Sequence, residues 1–237
     1  MKALLVDLDD TLLDYSGGVD DSWCQACDTV AAPAGLDPAA LGQAIARSRR
    51  WFWDDPGRHQ RERLDMMGAW TKIAEHALAG LGAPGGPPGG PLGAALAARF
   101  ADYRWGRMRL FPGVPDALAR LRSRGVPLAL VTNGDRRQQR RKIEQYDLAR
   151  YFDVMVIEGE FGCGKPEEAV YRHALAALGT RAEDAFMVGD HLEWDVGAPQ
   201  RLGVRGIWVD GAGTGLPDQS PVVPHRIIRA FPELVGP

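Results

Sequence analysis

The chain is short of three things that define whole classes of protein: cysteine, long apolar runs and an excess of one charge. Three cysteines among 237 residues cannot close a disulfide framework, which points to a reducing compartment. No stretch approaches the roughly 18 apolar residues of a membrane-spanning helix. Asp7, Asp9 and Asp10 follow at once on the apolar residues 3–6, so the opening also lacks a secretory apolar segment. Lys and Arg number 28 against 31 Asp and Glu, a formal charge of −3, which excludes the strong positive charge of a typical nucleic-acid binder. The expectation is a cytoplasmic protein with neither a membrane nor nucleic acid as partner. What is present is ordinary for a globular chain: 45% apolar and 25% charged residues, enough for one filled core and a smaller appendage.

Continuous apolar runs at residues 3–6, 127–131, 154–157, 185–188 and 206–209 read as strands covered on both faces. Between them, residues 114–124, 136–148, 167–178 (after Pro166 as a first helical residue) and 195–202 read as helices. This alternation predicts an α/β fold, a Rossmann-like, mostly parallel sheet with helices on both faces. Residues 19–108 differ, with helical patterns at 21–32, 38–53, 60–79 and 92–107 and no strand. The expected division is an α/β core of residues 1–16 and 109–237, with residues 17–108 an inserted α-helical unit. Residues 83–93, APGGPPGGPLG, are expected to loop between helices, because a regular helix there costs too much. Residues 216–237 read as an irregular tail with a short Ile227-Ile228 patch.

In such a sheet reactive groups gather beyond the C-terminal strand ends. Asp7 with Asp9, then Thr132-Asn133-Gly134, then Asp190 through Asp195 all fall there, and Lys165 precedes another helix. Two close carboxylates repel as anions, so a proton, water or metal must compensate. One could attack an electrophile while the other carries a proton. Taken alone, the pair is equally a set of turn aspartates beside Asp10 and Asp14. Asp190 and Asp195 extend the acidic group into an oxygen-rich site suited to Mg²⁺, though Asp195 is alternatively a helix N-cap. Gly134 would let backbone amides approach an anion, Thr132 supplies a donor, and Lys165 supplies compact positive charge.

In this order, DLDDT at residues 7–11, TNG at 132–134, Lys165-Pro166 and GDHLEWD at 189–195 resemble the haloacid-dehalogenase-like hydrolase superfamily, particularly its phosphatases with a helical cap after the first motif. FPGVPDALARL at residues 111–121 is similar to the return from such a cap. The resemblance implies a Mg²⁺-dependent phosphoric monoester hydrolase acting on a small phosphorylated metabolite through an aspartyl phosphate. It makes Asp7 the nucleophile and Asp9 the acid and then the base. Thr132, Asn133 through its backbone, and Lys165 would bind phosphate, with Lys165 also restraining the nucleophile. Mg²⁺ would contact Asp7, the backbone carbonyl of Asp9, and Asp190. Asp195 would orient metal-bound water or Lys165, or itself be a ligand. Asp9 argues against dehalogenation, since related dehalogenases lack it. Lys72 is the inserted unit's only lysine and thus the sole candidate for imine-based carbon–phosphorus cleavage, but its amphipathic setting suggests a surface role. Two alternatives stay open: a phosphoryl mutase, or a catalytically weak nucleic-acid or protein-binding module.

Within the insertion, Arg47, Arg49, Arg50, Arg58, Arg61 and Arg63 surround Trp51-Phe52-Trp53. Arg47, Arg50, Trp51 and Trp53 are the candidates for substrate specificity, by guanidinium and aromatic contacts. The plainer reading packs the aromatics between helices and turns the arginines to solvent. Cys24 and Cys27 are spaced for a local redox pair or partial metal site, or are two ordinary cysteines. Gly17-Gly18 would serve as a hinge or a simple turn. His191 would adjust access or leaving-group contacts beside Asp190, and Cys163 lies near Lys165.

Overall fold

The computed structural model describes residues 2–82 and 90–236. The chain opens with β1 (Ala3–Val6), whose four residues are all buried, and β2 (Leu13–Asp14). Among the described residues, the α-helices α1 (Val19–Ala31), α2 (Pro38–Trp53), α3 (Pro56–Glu62), α4 (Met66–Gly80) and α5 (Pro91–Arg107) follow. The chain continues with β3 (Arg109–Leu110), α6 (Val114–Ser123), β4 (Leu128–Thr132), α7 (Arg136–Gln145), β5 (Val154–Ile157), α8 (Glu158–Phe161) and α9 (Glu168–Ala177). It ends with β6 (Ala185–Gly189), a π-helical turn over Leu192–Gly197, α10 (Ala198–Gln200), β7 (Arg205–Val209) and β8 (Arg226–Ile228). Two compact units result, one of residues 1–15 and 109–237, the other of residues 16–108.

The first unit is the expected Rossmann-like α/β fold. Six parallel strands run in the order β5-β4-β1-β6-β7-β8, with β1 in the interior. Side chains alternate across a strand, so Ala3 and Leu5 of β1 share a face with Ala129, Val131 and Met187. That face packs against Val170, Tyr171, Ala174 and Leu175. Leu4 and Val6, on the opposite face, are also fully buried. Burial on both sides explains why the strands read as unbroken apolar runs. Antiparallel β2 and β3 pair Leu13 with Leu110 and Asp14 with Arg109, bringing together the points where the chain leaves and rejoins the sheet.

Several local expectations are corrected. The tail is not wholly irregular: β8 adds a sixth strand, matching Val209 with Ile228. It is three residues long at a sheet edge, with Ile228 buried and Ile227 exposed, too short to produce a readable pattern. Residues 60–79 are not one helix. Asp55 caps α3 by accepting from the Arg58 amide and Asp65 caps α4 by accepting from the Gly68 amide, so the chain restarts. Pro166 does not open α9; it precedes the N-cap residue Glu167. The helix expected to run to 148 stops at Gln145, and Leu148 lies in a short 3₁₀ turn. Of the Gly/Pro-rich tract, residues 83–89 lie outside the described residues, while Pro91 is the first residue of α5, where its missing N–H is harmless.

The second unit is a helical bundle with its own core. Trp23 stacks on Phe100 with ring centroids 4.0 Å apart, and Trp70 meets Phe100 edge-on at 5.0 Å. Leu41, Ile45, Ile73 and Leu96 complete the packing. Arg104 is buried and donates to the Gly17 carbonyl at 2.9 Å, so an arginine serves this unit from inside.

Candidate active site

β1 carries the chain to Asp7, whose amide still donates to the Val188 carbonyl of β6 at 3.0 Å. The Asp7 carboxylate is buried and accepts from Thr11 Oγ1 at 3.1 Å and Lys165 Nζ at 2.6 Å. Lys165 Nζ also donates to Asp195 Oδ1 at 2.6 Å, so one ammonium bridges two carboxylates. The lysine is aimed by its backbone. Asn133 Oδ1 accepts from the Lys165 amide and Asn133 Nδ2 donates to the Lys165 carbonyl, both at 2.7 Å. This clasp passes against Gly164, where a Cβ would lie 2.6 Å from Asn133 Oδ1 and 2.5 Å from the Glu158 carboxyl carbon, so no larger residue fits unaltered.

β6 brings Asp190 and Asp195 to the same place. A Cβ at Gly189 would lie 2.2 Å from the Asp195 carboxyl carbon, so the acid sits directly over that glycine. Asp195 is not an N-cap. It lies inside the π-helical turn, with Oδ2 accepting from the His191 amide at 3.0 Å, and the cap is His191, which accepts from the Trp194 amide. Oxygens of Asp7, Asp190 and Asp195 lie within 4.8 Å of one another, an all-oxygen donor set that could hold a divalent cation.

The charge balance is strained. Burial pushes the Asp7 carboxyl up to about 7; Lys165 opposes the shift, and Asp195 reinforces it. Burial and then the neighbouring Asp7 and Asp195 carboxylates push Asp190 up to about 8. Burial alone would lower the Lys165 ammonium, but Asp195 and Asp7 more than reverse this and hold it above the ordinary lysine value. A single ammonium thus stays charged without compensating the carboxylates around it. A divalent cation among these oxygens would supply the missing positive charge.

Asp9 does not join this cluster. Its carboxylate accepts from Lys142 Nζ through both oxygens at 2.8 Å, and from Gln139 Nε2 at 3.0 Å. Gln139 Nε2 also donates to Thr132 Oγ1 at 2.6 Å. Sequence reasoning missed Gln139 and Lys142, although their i, i+3 spacing puts them on one helix face. Gly134 is expected to let backbone amides approach an anion; its own amide donates to the buried Glu158 at 2.8 Å. The Asn133 side chain is committed to Lys165, which leaves its backbone as the group available for phosphate.

The insertion's candidates divide. Arg50 and Trp53 line a cleft of about 440 Å³ within the helical unit, together with Asp20, Trp23 and Arg49. Arg47 and Trp51 do not line it. Trp51 stacks on His76 at 3.9 Å and carries the Arg58 guanidinium over its ring at 4.0 Å. Lys72 pairs with Glu62. Cys27 is buried and its thiol is pushed up to about 12, leaving it protonated and unreactive.

The chain has relatives among known proteins. The family model for haloacid dehalogenase-like hydrolase matches residues 1–203, and the chain belongs to that family. It is 34% identical to the phosphoserine phosphatase of Thermus thermophilus, over 93% of this chain and 94% of that protein. It is also 37% identical to the rat (Rattus norvegicus) N-acylneuraminate-9-phosphatase, over 55% of this chain and 52% of that protein. Among solved structures, a HAD phosphatase from Thermococcus onnurineus aligns with a TM-score of 0.70 at 21% identity, covering 99% of this chain and 96% of that one. The L-2-haloacid dehalogenase RSc1362 aligns with a TM-score of 0.71 at 21% identity, covering 99% and 97%. These likenesses agree on the fold.

Proposed function

We propose that the chain is a Mg²⁺-dependent phosphatase that hydrolyses a small phosphate monoester through an aspartyl phosphate on Asp7. The observation that carries this reading is the Lys165 ammonium bridging Asp7 and Asp195 beside Asp190, with a second acid, Asp9, held apart from that cluster. The phosphatase names of the relatives support the same reaction class.

An Asp7 oxygen attacks phosphorus as the bond to the ester oxygen breaks, and Asp9, entering this step as the carboxylic acid, gives its proton to the departing alcohol and becomes the carboxylate. Asp9 then takes a proton from water as that water attacks the phosphoryl group, releasing inorganic phosphate and restoring Asp7. Lys165 and the Thr132 hydroxyl, with the backbone near Asn133, hold the phosphoryl oxygens. Asp7, Asp190 and the Asp9 carbonyl would hold Mg²⁺, which when bound neutralises charge on the transferring group. Asp195 spends one oxygen on Lys165 and one on the His191 amide, so it acts mainly by orienting them. Substrate selection is assigned to the inserted unit, with Arg50 and Trp53 sharing one cleft there and Arg47 and Trp51 as further candidates.

The test is phosphate release from a panel of esters with Mg²⁺, including O-phosphoserine and a sugar-acid phosphate. Release from at least one ester, lost on chelation, is expected. Transfer of phosphate to a second hydroxyl without release would indicate a mutase. No turnover, together with specific RNA or protein binding, would favour the binding-module alternative.

The raised carboxyls also set a pH dependence for the metal. Mg²⁺ binds the ionised oxygens and competes with protons on Asp7, near 7, and Asp190, near 8. Affinity is therefore expected to tighten as pH rises from 6 to 9, with protons released on binding. Calorimetry in buffers of different ionisation enthalpy measures both effects, and pH-independent affinity would contradict the assignment.

A further inference from the structure

Among the described residues of the α/β unit, a buried cation besides Lys165 lies apart from the Asp7 cluster. α7 reads RRQQRRKIEQ, yet the residues it buries are Gln139, Lys142 and Ile143, while its arginines stay outside the core. Lys142 is 2% exposed, so its burial needs a reason other than solubility. Its ammonium reaches both Asp9 oxygens at 2.8 Å and Gln139 Oε1 at 2.7 Å, and lies 3.9 Å from the centre of the Tyr15 ring. The Gln139 amide in turn holds Asp9 Oδ2 and Thr132 Oγ1. Thr132 Oγ1 accepts from Gln139 and itself donates to the Asn133 carbonyl at a long 3.4 Å.

We propose that Gln139 and Lys142 are positioning residues that station the Asp9 carboxylate beside Thr132, away from the Asp7–Asp190–Asp195 cluster, for proton transfer to and from the alcohol. The inference rests on the phosphatase reading and adds to it a second, separate ion pair with its own task. A bidentate contact plus an amide fixes both oxygens of a short side chain, and a flexible Asp9 in an acidic pocket would have no single orientation. Lys165 serves the nucleophile, and Lys142 serves the proton carrier.

Two esters of similar shape separate these tasks: 4-nitrophenyl phosphate, whose leaving group departs without protonation, and 4-nitrobenzyl phosphate, whose alkoxide needs a proton. The readout is the ratio of kcat/KM for the benzyl ester to that for the phenyl ester, because kcat/KM covers only steps up to departure of the alcohol. Both rates come from one preparation, so a loss of folded protein cancels in the ratio. Asp9→Asn is expected to lower the ratio by about 10²-fold or more. Lys142→Met should lower it on the order of 10- to 100-fold, and Gln139→Leu should lower it in the same direction. In the Asp9→Asn background, Lys142→Met should change it by less than about twofold, since both act through one proton transfer. If Asp9→Asn lowers the ratio but Lys142→Met and Gln139→Leu reduce both esters equally, the inference fails and the phosphatase reading stands. Undiminished Lys142→Met effects in the Asp9→Asn background would likewise overturn it. Wild-type protein inert toward both esters and toward the wider panel would remove the phosphatase reading and this inference together.

Discussion

Asp7→Asn is expected to lower phosphate release on the order of 10⁴-fold or more while leaving the protein folded. Asparagine keeps the shape and an oxygen that can accept from Thr11, but an amide cannot attack phosphorus and cannot form the acyl phosphate. The stability side makes the result interpretable. The Asp7 carboxyl ordinarily titrates near 3.8 and is pushed up to about 7 by burial. A carboxyl raised by folding costs nothing below its unfolded value and costs progressively more as pH climbs towards its folded value. Removing it should therefore leave the metal-free protein at least as stable as wild type at pH 8, with the two converging below about pH 4. Thermal unfolding at both pH values, run beside the phosphate assay, checks the pair of outcomes. A variant that stays folded and retains activity within tenfold of wild type would rule out Asp7 as the nucleophile.

The α/β class was legible because its strands are buried on both faces and so appear as uninterrupted apolar runs, with β1 and β5 matching the expected residues 3–6 and 154–157. β8 escaped because a three-residue edge strand carries no periodicity, and its pairing with β7 depends on chain brought from nearly twenty residues away. Asp7, Asp190 and Asp195 could be singled out because strand ends in this topology converge, and Lys165 because it precedes a helix and falls within the ordered motifs of the resemblance. How they share charge could not be read, since that depends on which oxygen meets which nitrogen. Asn133 is the plainest case: the expectation concerned its backbone, and nothing in the sequence showed that its side chain clasps the Lys165 backbone. Gln139 and Lys142 were hidden by composition. In a helix segment dense with arginine, a lysine reads as one more solvated charge, and only tertiary contact reveals that it is buried against Asp9.

Lys165→Met should produce the other large effect, and on stability it has the opposite sign to Asp7→Asn. The substitution removes the ammonium that Asp7 and Asp195 share, leaving two buried carboxylates without their cation. Breaking a buried pair by deleting one partner costs about 3–5 kcal/mol, because the surviving charge keeps its desolvation penalty. For a chain of this size that corresponds to a fall in Tm on the order of 10 °C. Without Lys165, the Asp7 carboxyl titrates higher still than in wild type, because the ammonium that opposes its burial is gone. The deficit is therefore smallest near and below pH 4, where Asp7 is protonated folded or unfolded, and grows as pH rises towards its folded value. Chelated protein should be used, so that bound cation does not stand in for the lysine. Adding Asp195→Asn to Lys165→Met should recover part of the lost stability without recovering activity, since it removes one stranded charge but restores no phosphate contact. Lys2→Met supplies the comparison: its partner Asp184 is 3.2 Å away, but the lysine is 72% exposed, and an exposed pair of this kind contributes about 1 kcal/mol or less. Equal losses from Lys2→Met and Lys165→Met, or a Lys165→Met deficit that does not change with pH, would mean that the bridging ammonium is not what holds the two acids in place.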